Sequence, residues 1–286
     1  MKMDVRFHCV MQALIVCVLF LSGLLCAEAA WAASAKPLLF LVAGQSNAAG
    51  TADKPSSIVV PSGAFWNGKE WVRPLRDPVF PARKGGFCPA LAKSIADGTG
   101  RKVYIVNVAV GGTSSNAAYF KSPKKSWSAY GSLRRRAKSI YRKAVAHLDE
   151  PFEFGGVVWM QGGTDGIYYA KGLITLEDAR KGIEDVLTWL TDSFGKVFVI
   201  GIGYKNGAEQ YDLARETIHR TMRQVSGTIP HCYFASDMPI RLRSLGLMKG
   251  GPGRPDAHYL IRGYDMIGSD AGKFIAKHIA ERQGRR

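Results

Sequence analysis

The feature that most restricts how this chain can fold is a series of five short apolar runs with helical patterns between them. The runs are PLLFLVAG (37–44), VYIVNVAV (103–110), GVVWMQ (156–161), KVFVIGIG (196–203) and HCYFAS (231–236). Each is rich in Val, Ile, Phe or Tyr. None alternates cleanly between apolar and polar residues, which is the pattern of strands covered on both faces. The segments between them read as helices. PALAKSIADG (89–98) has proline at its start and glycine at its end. SLRRRAKSIYRKAVAHL (132–148) puts Leu133, Ala137, Ile140, Ala144 and Leu148 on one stripe, with arginines and lysines opposite. Thr175 caps TLEDARKGIEDVLTWLTDSF (175–194), which carries acids in its first turn. AEQYDLARETIHRTMRQVS (208–226) and YDMIGSDAGKFIAKHIAERQ (264–283) complete the series. Strands alternating with helices call for parallel pairing through right-handed crossovers. The expected fold is therefore a three-layer α/β/α sandwich on a mainly parallel sheet of about five strands.

The first 32 residues stand outside this pattern. MKMDVRFH is followed by the apolar stretch CVMQALIVCVLFLSGLLC (9–26) and then by AEAAWAAS. Ala30-Trp31-Ala32 fits the small-x-small pattern of a signal-peptidase site, so 1–32 reads as a cleaved leader. The rival reading is a retained membrane anchor. Leu25 precedes Cys26, where a lipoprotein signal has a small residue, so no lipid anchor is expected. Residues 33–286, about 254 in all, then form a single domain with long loops at 51–88 and 236–261, secreted or periplasmic, with no stable membrane insertion. Two cysteines remain, Cys88 and Cys232. An exported protein can join such a pair, but the spacing does not demand it.

Ligands of open parallel sheets sit beyond the carboxyl ends of the strands, and polar residues gather there. FLVAGQSNAAG (40–50) runs from strand into GQSN, which presents Ser46 either as a helix cap or as a hydroxyl for chemistry. NVAVGGTSS (107–115) places Gly111 and Gly112 at a strand end, where exposed N–H groups form a turn or hold an oxyanion. VVWMQGGTDG (157–166) adds the Gln161 amide and Asp165. RPDAHYLIRGYDMIG (254–268) supplies Asp256 and His258 in a loop. His147, His219 and His278 fall within helical patterns and His231 opens a strand, which leaves His258 as the histidine able to reach a strand end.

In this order the blocks resemble the SGNH hydrolase superfamily. Within it they are most similar to the sialate O-acetylesterase-like group, which includes acetylxylan esterases of carbohydrate esterase family six. The resemblance runs from Leu39 to about Ala276. It implies a carbohydrate O-acetylesterase acting by two-step acyl transfer. Ser46 is then the nucleophile and His258 the general base, with Asp256 orienting the imidazole. The N–H groups of Ser46 and of Gly111 or Gly112, with the Gln161 side chain, form the oxyanion hole. No metal or organic cofactor is implied. Two departures stand out. The family's Gln-Gly-Glu-Ser-Asp block reads Gln161-Gly162-Gly163-Thr164-Asp165, without the glutamate. The family's Asp-x-x-His spacing is shortened, because Pro255 holds the acid's position and Asp256 stands two residues before His258. Side chains at i and i+2 of an extended segment share a face, so Asp256 keeps a route to the imidazole, and Asp165 is the alternative acid.

The departures motivate a second reading, a non-catalytic carbohydrate-binding relative. A third makes Asp165 and Asp256 the paired carboxylates of a glycosidase. The net charge of +16 first suggests nucleic acid, with a dense block at Lys121, Lys124, Lys125, Arg134, Arg135, Arg136, Lys138, Arg142 and Lys143. No nucleic-acid motif is present, and no nucleic-acid partner is expected. A basic surface also suits an acidic polysaccharide or an anionic cell envelope. The acetylated glycan is left open among sialic acid, xylan, pectin and acidic bacterial polysaccharides.

Overall fold

The computed structural model describes residues 35–81, 84–116, 125–128 and 132–283. The expected leader and its cleavage site, and Lys121 and Lys124 of the basic block, lie outside them. Seven strands form one sheet: Leu38–Gly44 (β1), Ala64–Trp66 (β2), Trp71–Val72 (β3), Val103–Asn107 (β4), Glu153–Met160 (β5), Val197–Ile200 (β6) and Cys232–Ser236 (β7). Their order is β3-β2-β4-β1-β5-β6-β7. Neighbours pair in parallel except for the antiparallel β2–β3 hairpin at one edge. The main helices are Cys88–Thr99 (α1), Ser132–Ala146 (α2), Gly163–Ala170 (α3), Leu176–Phe194 (α4), Asp212–Thr228 (α5) and Ile261–Gln283 (α6).

All seven residues of β1 are buried, which is why its sequence does not alternate. Leu38, Phe40 and Val42 pack with Leu91 and Ile95 of α1 and with Tyr264, Ile267 and Ile275 of α6. Leu39, Leu41 and Ala43 belong to a second core with Leu133 of α2, Ile183 and Leu187 of α4, and Ile218 and Met222 of α5. Helices thus cover both faces, giving the expected three layers. Parallel pairing brings the carboxyl ends of β1, β4, β5, β6 and β7 to one rim, and the loops that follow them gather there.

The sheet has seven strands rather than about five. The extra pair, β2 and β3, lies inside the segment expected to be a loop. At three and two residues, they are too short to show a run. α3 was also not foreseen, because GTDGIYYA carries two glycines and little apolar periodicity. Cys88 and Cys232 are both free, buried, and placed in the two different cores, so they do not pair. Burial pushes the Cys232 thiol up to about 12 and the Cys88 thiol higher still. Among the described residues, no helix is long and apolar enough to cross a membrane.

Candidate active site

β1 leaves the sheet through Gly44, whose φ is +128°. A Cβ there would sit 2.1 Å from the Met160 carbonyl oxygen, so only glycine fits. The Gln45 N–H donates to that same oxygen at 3.0 Å. Ser46 then opens a single helical turn, Ser46–Ala49, closed by Gly50 at φ +87°. The sharp exit lifts the half-buried Ser46 hydroxyl onto the rim, while Asn47 and Ala48 beside it are buried.

His258 reaches this hydroxyl from the loop before α6. Its Nε2 lies 2.9 Å from Ser46 Oγ and its Nδ1 lies 2.6 Å from Asp256 Oδ1. The same Asp256 oxygen accepts the His258 backbone N–H at 3.0 Å. The loop is fastened from three sides. Asp256 and Asn206 exchange backbone hydrogen bonds at 3.0 and 2.8 Å. The Lys249 N–H donates to His258 O at 2.9 Å. Asn47 Nδ2 donates to Ala257 O at 3.1 Å, while its Oδ1 accepts from the buried Tyr264 hydroxyl at 2.6 Å. Burial pushes the Asp256 carboxyl upward. The facing imidazole, the His258 N–H and the Lys249 ammonium outweigh it and hold the group below the usual carboxylate range.

Gly111 lies against the Ser46 turn: a Cβ on it would be 3.5 Å from Ser46 Cβ. Among the described residues, the N–H groups of Ser46 and Gly111 have no protein acceptor. Gly112 adopts φ +69° just beyond, exposed to solvent. Gln161 is placed differently from its expected role. Its Nε2 donates to Thr113 O at 2.6 Å and to Gln45 Oε1 at 3.2 Å, and its Oε1 accepts from Thr113 Oγ1 at 3.0 Å. Both amide protons are engaged, and the side chain does not line the cavity over Ser46. It braces the glycine loop from behind.

Asp165 is also turned away from the histidine. It is fully buried and accepts from the Ser114 hydroxyl and from the Ser115 N–H at 3.1 Å. Burial pushes its carboxyl up in spite of these donors. The alternative acid therefore does not meet His258. Asp165 is fully buried and neither it nor Asp256 lines the cavity over Ser46, whereas paired glycosidase carboxylates must flank the bound sugar. Asn47 and Tyr264, not singled out by the sequence, tie the Ser46 turn to the loop that bears His258. The position of Asn47 next to Ser46 was the available signal.

A cavity of about 610 Å³ opens over Ser46 and His258. Ala49, Gly50, Thr51 and Pro81 form one part of its wall, and Ala109, Val110 and Gly111 another. Arg136, Lys84 and Lys249 are also on the wall. Of the described members of the basic block, Arg136 alone lines this cavity.

A protein of Arabidopsis thaliana has a similar fold, with a TM-score of 0.60 at 14% identity, over 85% of this chain and 98% of that one. Weaker likenesses include an acetylxylan esterase from Geobacillus stearothermophilus (TM-score 0.47, 13% identity, 84% and 94% covered). Another is a carbohydrate acetylesterase from Xanthomonas citri (0.45, 18%, 85% and 56%). No curated protein sequence matches the chain. Residues 36–172 match the family described as carbohydrate esterase, sialic acid-specific acetylesterase. That span contains Ser46, Gly111, Gly112, Gln161 and Asp165, and ends before Asp256 and His258. Residues 36–172, just under half of the chain, are thus similar to the sialate O-acetylesterase-like carbohydrate esterases.

Proposed function

We propose that this carbohydrate O-acetylesterase works through Ser46, His258 and Asp256. The observation that carries the reading is the hydrogen-bonded line from Asp256 Oδ1 to His258 Nδ1 at 2.6 Å and from His258 Nε2 to Ser46 Oγ at 2.9 Å. A serine hydroxyl is a poor nucleophile until a base takes its proton. His258 Nε2 takes it as Oγ attacks the acetyl carbon. The carbonyl oxygen gains negative charge and is held by the N–H groups of Ser46 and Gly111, with Gly112 as the further donor. The intermediate collapses, the sugar oxygen leaves, and the imidazolium returns its proton to that oxygen. Water, deprotonated by His258, then cleaves the acetyl-serine. Acetate departs and Ser46 regains its proton. Asp256, ionised at ordinary pH, holds the imidazole with Nδ1 protonated and stabilises its cationic form. Gln161 supports the glycine loop in this scheme rather than donating to the oxyanion.

We further propose that residues 1–32 are a cleaved leader, so that the enzyme meets its glycan outside the cytoplasm. Protein sequencing of exported material should find a new amino terminus after Ala32.

The test of the chemistry is acetate release from a set of O-acetylated glycans and from 4-nitrophenyl acetate. Ser46→Ala should lower kcat by at least about 10³-fold with the fold intact by circular dichroism. Retained turnover in that variant would rule out Ser46 as the nucleophile. A wild-type protein that binds acetylated glycans and releases no acetate would favour the carbohydrate-binding reading.

A further inference from the structure

The wall of the cavity is one-sided in charge. Among the described residues, Arg136, Lys84 and Lys249 line it, and no aspartate or glutamate does. Lys249 is already employed within the protein: its ammonium donates to Thr51 O at 3.0 Å and lies 4.0 Å from Asp256 Oδ2. Arg136 is placed otherwise. Its Nη1 donates to Val108 O at 2.9 Å, which fixes the guanidinium just past the end of β4, next to the Ala109–Gly111 wall. Among the described residues it has no carboxylate within ion-pair distance. Arg134, two positions earlier on α2, does have one in Asp185. Burial lowers the hold of the Arg136 guanidinium on its proton. A half-buried cation without a counter-charge is unfavourable, and an anion brought beside it offsets that cost. The planar fork of arginine suits a carboxylate, which can accept two N–H bonds at once.

We infer that Arg136 is a specificity-determining residue that holds a sugar carboxylate while the acetyl ester lies over Ser46. The substrate is then an O-acetylated glycan containing a carboxylated sugar, either a hexuronic acid or a sialic acid. The inference rests on the proposed Ser46 chemistry. Lys84, from the loop before α1, supplies a second positive charge on the same wall. The net charge of +16 favours encounter with a polyanionic chain.

The experiment compares the full-length wild type with Arg136→Gln and Arg136→Lys. The substrates are O-acetylated polygalacturonate, an O-acetylated sialoside, acetylated xylan and 4-nitrophenyl acetate. Wild-type kcat/KM should be higher for at least one carboxylated substrate than for acetylated xylan. Arg136→Gln should reduce kcat/KM for that substrate about 10- to 100-fold more than for the neutral esters. Arg136→Lys should recover part of the preference, and added salt should erode it. Whichever carboxylated substrate responds identifies the sugar. An equal loss on all four esters would place the guanidinium at the acetyl group instead and overturn the inference. So would an unchanged selectivity ratio, or a wild type that prefers xylan. Ser46→Ala run in parallel separates the two claims. Acetate release surviving in Ser46→Ala defeats the nucleophile, whereas an unmoved ratio in Arg136→Gln defeats only the carboxylate site.

Discussion

Asp256 stands closer in sequence to His258 than the family pattern has it, yet a single oxygen meets both the ring and the main chain of the histidine. The bridge Asn206–Asp256 keeps this stretch extended, so residues i and i+2 share a face and the missing residue costs no contact. Asp256→Asn should therefore lower kcat by about 10³- to 10⁴-fold, with the thermal midpoint nearly unmoved. Asp165→Asn should do the reverse, shifting the midpoint and lowering kcat less than about 10-fold, since Ser114 and Ser115 are its partners. Kinetics with 4-nitrophenyl acetate and thermal melts on both variants decide it, and the opposite ranking would reinstate Asp165 as the acid. The other departure also has a packing counterpart. A Cβ at Gly163 would lie 2.7 Å from Gln45 Nε2 and 3.2 Å from Arg215 Nη2. Arg215, buried and bonded to Gly203 O and Gly163 O, thus occupies the neighbourhood where the family's glutamate would stand.

Among the elements, α6 does more than cover a sheet face. Its Tyr264 hydroxyl joins Thr51 Oγ1 at 2.8 Å to Asn47 Oδ1 at 2.6 Å, and Asn47 in turn holds Ala257. Removing that hydroxyl leaves Asn47, which is only 2% exposed, with a buried oxygen lacking its donor. Tyr264→Phe should destabilise the fold by about 1–3 kcal/mol in urea titrations. It should also lower kcat several-fold more than it raises KM, because the base loop loses its tether. An unchanged kcat would mean that Asn206 and Lys249 suffice to hold His258. The helix itself was expected over 264–283 and runs from Ile261 to Gln283. The tether was not, because its two ends are 217 residues apart. Thr175 was equally legible: its hydroxyl accepts the Asp178 N–H at 3.0 Å and Asp178 returns a bond to the Thr175 N–H at 2.9 Å. Capping is local chemistry and can be read locally. β2 and β3 gave no such signal, since their pairing with β4 and with each other is set by tertiary contact.

For the molecule as a whole, one group that couples stability to pH is Asp77, which ties the loop before β2 to the segment between β3 and α1. Its carboxylate accepts the N–H groups of Ser56 at 2.9 Å and Gly86 at 3.1 Å. Burial nevertheless raises it to about 6, with a further contribution from Asp265. A carboxyl raised on folding binds its proton more tightly in the native state. Its stabilising share is complete below about pH 4, declines as the pH climbs, and is gone above about 6. The amount is on the order of 2 kcal/mol. Asp77→Asn keeps an acceptor oxygen and should flatten the pH dependence of the urea midpoint between about pH 4 and 6, leaving the variant the more stable at pH 8. An unaltered pH profile would show that Asp77 titrates normally. The layered architecture was plain from the sequence because burial on both faces writes itself into β1, β4, β5 and β6 as unbroken apolar runs. Ser46, Gly111, Gly112 and Gln161 were nameable for the same reason, as they follow those strands directly, whereas His258 was singled out as the histidine lying in a loop. The reassignment of Gln161 was hidden, since which way an amide points depends on Thr113 and Gln45 around it.

The hydroxyl and the imidazole that meet at 2.9 Å are 212 residues apart along the chain. On the proposed mechanism, a nascent chain carries Ser46 long before it carries the imidazole that would activate it. On that mechanism, turnover reports that the loop bearing His258 and the helix after it have docked on the sheet that β1 belongs to.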